Sequence, residues 1–283
     1  MLNYKEKQGA KFMSYPILDY FDDDGVINKD TVFDNEIGVK NLYERFQREH
    51  IDTALFVFIR ENFEEFLDFS KLELVYQFKN ASNINNLYLY DNKFIVALSS
   101  LGGPAATGLM EKLGFMGINT FFACGDAGQI DKDFDTSKLA LIEKAIRDEG
   151  TSYHYLEPSV FAETNKELTD FIARYLQSKN LDYERIITWT TDAFYRETRK
   201  ALEKRIDQGA VCVEMECAGW CACAKKRGYK FAQLLYFSDV VRKDGHKWHG
   251  TRDILRKWMI DIMVDCVDSY ATMKIEERNK ENN

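Results

Sequence analysis

Proline and histidine are both scarce in this chain, with three and four residues among 283. No repeat, low-complexity stretch or proline-rich linker interrupts it, so no domain boundary is visible and residues 1–283 read as one domain. The histidines (His50, His154, His246, His249) lack the HExxH spacing of a helical zinc site. There is no GxSxG nucleophile elbow, no GxxxxGK[ST] phosphate loop and no strand-placed GxGxxG. The common hydrolase, NTPase and dehydrogenase readings fall away with them. Positive charge is also short: the net charge is −8 and the pI near 5.2, which argues against nucleic acid or an anionic membrane as partner. No apolar run approaches the roughly 20 residues of a membrane helix. The N-terminal MLNYKEKQGAKF has no signal-peptide core, so a cytoplasmic location is expected.

What the chain does have is enough apolar material for one large core, at 45% hydrophobic residues. Six cysteines (Cys124, Cys212, Cys217, Cys221, Cys223, Cys266) do not form a disulfide framework in a cytosolic chain. On a helix, positions 221 and 223 point roughly 200° apart and cannot chelate one ion together, so these thiols read as small buried hydrophobes. No metal is expected.

Taken in order, residues 1–50 carry a turn-rich segment from Tyr15 and an acidic run, Asp22 to Asp24, without calcium-loop spacing. Ala54 to Ile59, Leu72 to Phe78, Leu87 to Tyr90 and Phe94 to Leu98 read as strands, with a turn at Asp91-Asn92-Lys93. Gly102 and Gly103 precede Pro104 and a helix to about Gly114, an arrangement that suits an anion cradle or tight helix–strand packing equally. Asn119 to Cys124 is a strand ending at Gly125-Asp126-Ala-Gly128. Periodicity alone makes Lys138 to Asp148 a helix and 150–155 a loop. Thr164 to Ser178 is an amphipathic helix, Arg185 to Thr190 a strand and Glu197 to Asp207 a helix. The closing helix, about Thr251 to Glu277, places Ile254, Met259, Ile262, Met263 and Val267 inward. Alternating strands and helices imply an α/β domain with a mixed sheet.

The densest chemistry lies between Val211 and Asp239. A strand leads to Glu214-Met215-Glu216, a small-residue helix follows, Gly228 breaks it, and a second strand ends at Ser238-Asp239. Ligands of α/β proteins sit at the carboxyl ends of strands. If the backbone stays extended, Glu214 and Glu216 face one side, where carboxylates can grip vicinal hydroxyls; a solvated acidic turn at a helix start fits equally well. Asp239 suits a proton donor in an apolar setting, or an N-cap.

With those residues in view, the chain resembles the nucleoside phosphorylase superfamily, in segments matching in order from about Phe94 to Ile260. Leu101-Gly-Gly-Pro-Ala-Ala with Leu113-Gly is similar to its GGPS…LG helix. Gly125-Asp-Ala-Gly128-Gln-Ile130 is similar to its phosphate turn, and Arg147-Asp-Glu-Gly150-Thr-Ser to the RxDGxS segment. Thr191-Asp192-Ala-Phe194-Tyr195 resembles the base-side SDxFY, and Val213-Glu-Met-Glu-Cys-Ala-Gly219 the ribose motif VEMEAAG. Ser238-Asp239 with Arg252 thirteen residues on resembles the purine branch, while Thr198 and Lys200 stand where uridine phosphorylases hold uracil with Gln and Arg. The resemblance also implies a strand, not a helix, at 138–148.

The resemblance implies an α/β fold with a partly barrel-like mixed sheet flanked by helices, in a homo-oligomer (a dimer or trimer of dimers). It implies cleavage of the N-glycosidic bond of a purine-type nucleoside, by phosphorolysis to free base and ribose 1-phosphate, with phosphate as co-substrate and no cofactor. Asp239 and Arg252 would be catalytic, Glu214, Met215 and Glu216 would bind ribose, and Phe194, Asp192 and Ser238 the base. Gly125, Asp126 and Gly102 would form the phosphate or water site. That last part departs from the family: the phosphate-side arginine is Ala123, the Thr or Ser after the glycine is Asp126, and no PGDPxR loop precedes Ala54. Arg45, Arg48, Arg60 or a neighbouring subunit are candidate replacements for the missing cation. The alternatives are a nucleosidase using water, with Asp126 as a base, and a binding protein that has lost turnover.

Overall fold

The computed structural model describes residues 25–58, 67–79, 84–248 and 252–281, with the backbone alone at 79, 248, 252 and 253. The acidic run at 22–24, Ile59 and Arg60 lie outside the described residues, as does the Arg252 side chain. Two helices, α1 (Lys29–Asn35) and α2 (Ile37–Glu49), precede β1 (Thr53–Val57). Then come β2 (Leu72–Lys79), β3 (Ile84–Tyr90), β4 (Phe94–Leu98), α3 (Gly103–Phe115), β5 (Thr120–Gln129), β6 (Leu139–Asp148) and β7 (Phe161–Glu163). The chain continues through α4 (Lys166–Ser178), β8 (Tyr183–Thr191), α5 (Arg199–Asp207), β9 (Ala210–Glu214), α6 (Cys217–Arg227), β10 (Lys230–Arg242), β11 (Gly245–Trp248) and α7 (Arg252–Glu281).

β10 pairs with both β5 and β6, and the path β6–β8–β9–β5 returns to β5, closing a five-stranded barrel. β1, β4, β3 and β2 extend the sheet from β5. β1 is buried at all five positions because β4 and β5 flank it and helices cover both faces, which explains its continuous apolar run. One core gathers α2, α3 and α6 against the sheet, the other α4 and α7. Ile254, placed inward by periodicity, is 74% exposed, whereas Met259, Ile262, Met263 and Val267 are buried as expected.

The largest departure from periodicity is at 138–148, which is the strand β6, as the family resemblance implies, and not a helix. Its pairing with β8 slips between Ile142 and Lys144. The extra residue breaks the period-2 alternation and leaves apolar side chains at a spacing that imitates 3.6. Gly125 to Gly128, expected as a turn after a strand, continues β5 to Gln129. Likewise β10 does not stop at Asp239 but runs on to Arg242 and turns through Lys243-Asp244 into β11.

Helix α6 carries eight consecutive buried residues, Cys217 to Ala224, its three cysteines among them. The left-handed Gly228 (φ 72°) ends it. It crosses α3 so closely that a Cβ on Gly219 would stand 2.7 Å from Thr107 Oγ1. Gly219→Ala should therefore destabilise by about 1–3 kcal/mol, the range for overpacking. Thr107 Oγ1 has no hydrogen-bond partner among the described residues. Thr107→Ala should then restore much of that loss in the double variant. Urea denaturation of both single variants and the double reads this directly, and additive losses would contradict the contact.

Candidate active site

The site forms where three strand ends meet. β9 ends in Glu214, and the following turn swings that side chain back under the start of α6. Glu214 Oε2 accepts the N–H groups of Glu216 (2.8 Å) and Cys217 (2.7 Å), and Oε1 accepts the Thr190 hydroxyl (2.5 Å). Thr190 in turn accepts the Ala218 N–H at 3.0 Å. An anion at a helix N-terminus satisfies orphan donors and favours the dipole. Glu214 is thus the anchor of α6, and the extended geometry that would place it beside Glu216 does not occur.

Glu216 faces the other way. Its Oε1 accepts the Gly102 N–H at 2.6 Å, tying the Glu-Met-Glu segment to the start of α3. That N–H is already engaged, so Gly102 presents it to Glu216 rather than to an anion. Met215 is half-buried, and its carbonyl lies near Gly103. Burial, then the charge of Glu214, holds Glu216 above the ordinary carboxylate range, and Asp126 adds to the effect. Burial does the same to Glu214 against its hydrogen bonds.

Asp126 on β5, opposite Tyr236, and Asp239 on β10, opposite Gly128, are linked through a β-bulge. The two strands run in parallel register from Lys230 against Thr120 to Phe237 against Ala127, after which Asp239 sits against Gly128. Ser238 is the extra residue. The bulge turns its hydroxyl between two carboxylates, with Oγ 2.6 Å from Asp126 Oδ2 and 2.9 Å from Asp239 Oδ1. On the far side, His246 Nε2 from β11 lies 2.5 Å from Asp239 Oδ2. The His246 ring meets Phe194 edge-on at 5.9 Å between centroids. A Cβ on Gly128 would come within 3.1 Å of Asp239 Oδ2, so a glycine leaves that oxygen its room. Glu197, in the turn after Phe194, is pushed up to about 7 by burial and by the charge of Asp239.

The structure therefore brings Met215, Glu216, Phe194, Asp126, Ser238 and Asp239 towards one place. Asp192 lies at its edge, where Oδ2 accepts the Gly150 N–H at 2.7 Å and fastens a one-turn helix, Thr151–His154. Arg147, from the RxDGxS-like segment, is buried under that loop and donates to Ser152, Leu156, Glu157 and Ser159. It is a loop clamp. On the nucleophile side, Ala123 is fully buried in the apolar core between Phe56 and Gln233. Arg45 forks onto Glu73 and also reaches Glu49, and Arg48 pairs with Glu49, so neither is held towards the site. Arg256 of α7 instead lines a small cavity with Phe58, Gly125, Asp126 and Tyr236.

Sequence reasoning missed His246, Glu197 and Arg256. The Asp244-Gly245 pair after the β10 run was a turn signal, though the loop proves to be Lys243-Asp244, with Gly245 opposite Arg242 and His246 opposite Val241. No spacing signals Glu197 or Arg256.

The family follows from direct comparison: the chain belongs to the phosphorylase superfamily, whose model matches residues 56–258. Among curated relatives it is 26% identical over 160 residues to a guanosine phosphorylase of Halorubrum lacusprofundi, covering 56% of this chain and 65% of that one. It is also 26% identical over 153 residues to the uncharacterized protein R802 of Acanthamoeba polyphaga mimivirus, covering 54% and 59%. A uridine phosphorylase of Thermococcus kodakarensis is 31% identical over 100 residues, 35% of this chain and 36% of that one. The chain thus spans about two thirds or less of these relatives. Among solved structures, a futalosine hydrolase mutant of Helicobacter pylori superposes with a TM-score of 0.64 at 17% identity, covering 77% of this chain and 99% of that one. A mutant of the Helicobacter pylori MTAN with 5'-methylthioadenosine in its active site gives 0.63 at 18%, with the same coverage. At these identities the superpositions establish the fold, a mixed α/β domain with a closed barrel. Among the described residues no helix is long and apolar enough to cross a membrane.

The buried carboxyls have a consequence for stability. Glu197, Glu214 and Glu216 all titrate above the 4.5 of an ordinary glutamate. The folded chain then holds more protons than the unfolded chain above pH 4.5, and stability falls as pH rises through the folded values. The melting temperature should decline from pH 5 to pH 8.5, and Glu216→Gln should flatten that decline. A profile rising over this range would contradict the assignment.

Proposed function

We propose that the protein cleaves the N-glycosidic bond of a purine-type nucleoside, with water as the nucleophile. The observation that carries the reading is the placement of Asp126, a carboxylate, across Ser238 from Asp239. Asp239, beside His246 and the Phe194 ring, is set to protonate the departing base, which packs on Phe194. Glu216 and Met215 take the ribose hydroxyls, with Glu216 held by Gly102. Asp126 stands where the resemblance puts phosphate, and a fixed anion there repels phosphate while accepting a proton from water. The transition state is oxocarbenium-like, so the Asp126 carboxylate also stabilises positive charge developing on the sugar. No cofactor or metal is called for, and the protein acts on free nucleosides as a cytoplasmic homo-oligomer.

A second reading, phosphorolysis, has one observation in its favour. Arg256 lines the same cavity as Gly125 and Asp126 and is a cation within that part of the site. The guanosine and uridine phosphorylases among the relatives lean the same way.

The test is to incubate the protein with inosine, guanosine, adenosine and uridine, with and without phosphate, and to follow free base. Purine release at equal rates in both conditions is expected. Release that requires phosphate supports phosphorolysis. Tight nucleoside binding without release would make the protein a binding module and end both enzymatic readings. Within the active-enzyme reading, Asp239→Asn should lower purine release at least about tenfold, and an unchanged rate would remove Asp239 as the acid.

A further inference from the structure

We propose that Asp126 and Asp239 share a single proton across Ser238, and that its return from Asp126 to Asp239 resets the site after each turnover. This rests on the hydrolytic reading above; the shared proton itself rests on geometry alone.

The argument is a count of hydrogens. Ser238 Oγ is fully buried, lies 2.6 Å from one carboxylate oxygen and 2.9 Å from another, and has one hydrogen to donate. With both carboxylates ionised, one oxygen would face the hydroxyl's lone pairs at hydrogen-bond distance, which is repulsive in a buried setting. One proton on either carboxyl removes the conflict. If Asp239 carries it, Asp239 donates to Ser238 and Ser238 donates to Asp126. If Asp126 carries it, both bonds reverse as the hydroxyl turns. The two arrangements have the same charge and differ only in which end holds the proton. Two carboxyls that hold one proton between them titrate as a pair.

The first arrangement is the reactive one. Water attacks C1′ and gives a proton to Asp126, the C1′–N bond breaks with its electrons passing to the base, and the base takes the Asp239 proton. The site is left with Asp126 protonated and Asp239 ionised. Asp126 then donates to Ser238 as Ser238 donates to Asp239, restoring the start with no proton taken from solvent. The net reaction is nucleoside plus water to sugar plus base. The groups facing the pair are His246 on the Asp239 side, with Glu197 and Cys212 close enough to feel its charge. Near Asp126 stand Glu216 and, lining the same small cavity, Arg256. The His246 imidazole steadies Asp239 in the ionised arrangement.

Two measurements decide this. In full-length protein labelled with [4-13C]aspartate, the resonances that disappear in Asp126→Asn and Asp239→Asn identify the pair. The wild type should retain one proton on the pair at pH 7 and lose it in a step well separated from the other. Two carboxyls both ionised by pH 6 would overturn the shared proton whatever the activity. Kinetically, Ser238→Ala should narrow the bell-shaped pH profile of kcat/KM from both sides and lower kcat about tenfold, because the singly protonated state is no longer held over a wide range. A profile of unchanged width would overturn the relay. Base release that needs phosphate would instead overturn the hydrolytic reading and the reset step together, with the labelled spectrum still deciding whether the proton is shared.

Discussion

The parallel pairing of β5 with β10 is the constraint on which the rest depends. It closes the barrel, and it brings Asp126 on β5 and Asp239, two β5 positions further along, within reach of one hydroxyl. In unbroken register Ser238 would lie opposite Gly128, and its side chain would follow the strand alternation to its own face. The one-residue slip after Phe237 turns the hydroxyl between the two carboxylates instead. A bulge is a means of re-aiming a side chain without ending a strand, and barrels concentrate them near their sites. The β10–β11 hairpin then brings in His246 from a residue only seven positions from Asp239.

A second constraint fixes the other half. Eight buried residues at the start of α6 leave its first N–H groups no water to bond with, so they need a buried acceptor. Glu214 supplies it, and Thr190 joins β8 to the same knot. Because that carboxylate is committed, the helix knot leaves the carboxylate two residues on to bond elsewhere, at the start of α3. The Glu-Met-Glu triplet is therefore not a pair of equivalent grips. One acid builds the helix that positions the other, and the burial that makes the knot rigid also raises both their pKa values.

Much of this was legible in the residues. Continuous apolar runs marked β1 and β4, and Gly228 marked the end of α6. Much of what was not legible lies at a register shift or a distant contact. The slip at Ile142–Lys144 made β6 read as a helix, and the slip at Ser238 hid the geometry of the acidic pair. Residues 125–128 read as a turn because glycines usually mark one. Here they sit inside a strand, where Gly125 makes room for the Phe58 ring and Gly128 for Asp239. Arg256 joins the site from a helix more than a hundred residues beyond Asp126, a closeness no local pattern encodes.

The nucleophile side then follows from charge. A pocket for phosphate needs donors and cations that outweigh the anion's hydration. Here the backbone donor at Gly102 is taken by Glu216, Ala123 is sealed in apolar core, and Arg45 and Arg48 hold surface carboxylates. Burial and the charge of Glu214 push Glu216 towards its neutral form, with Asp126 adding to the effect, so a further anion there would meet an already unfavourable field. In the hydrolysis proposed above, a neutral water would meet none of that repulsion, and a sugar turning cationic as its bond breaks would be drawn to the same field. On the proposed hydrolytic reading, the carboxylate that weakens a phosphate site is thus the one that supplies the base, with Arg256 lining the same small cavity as Asp126.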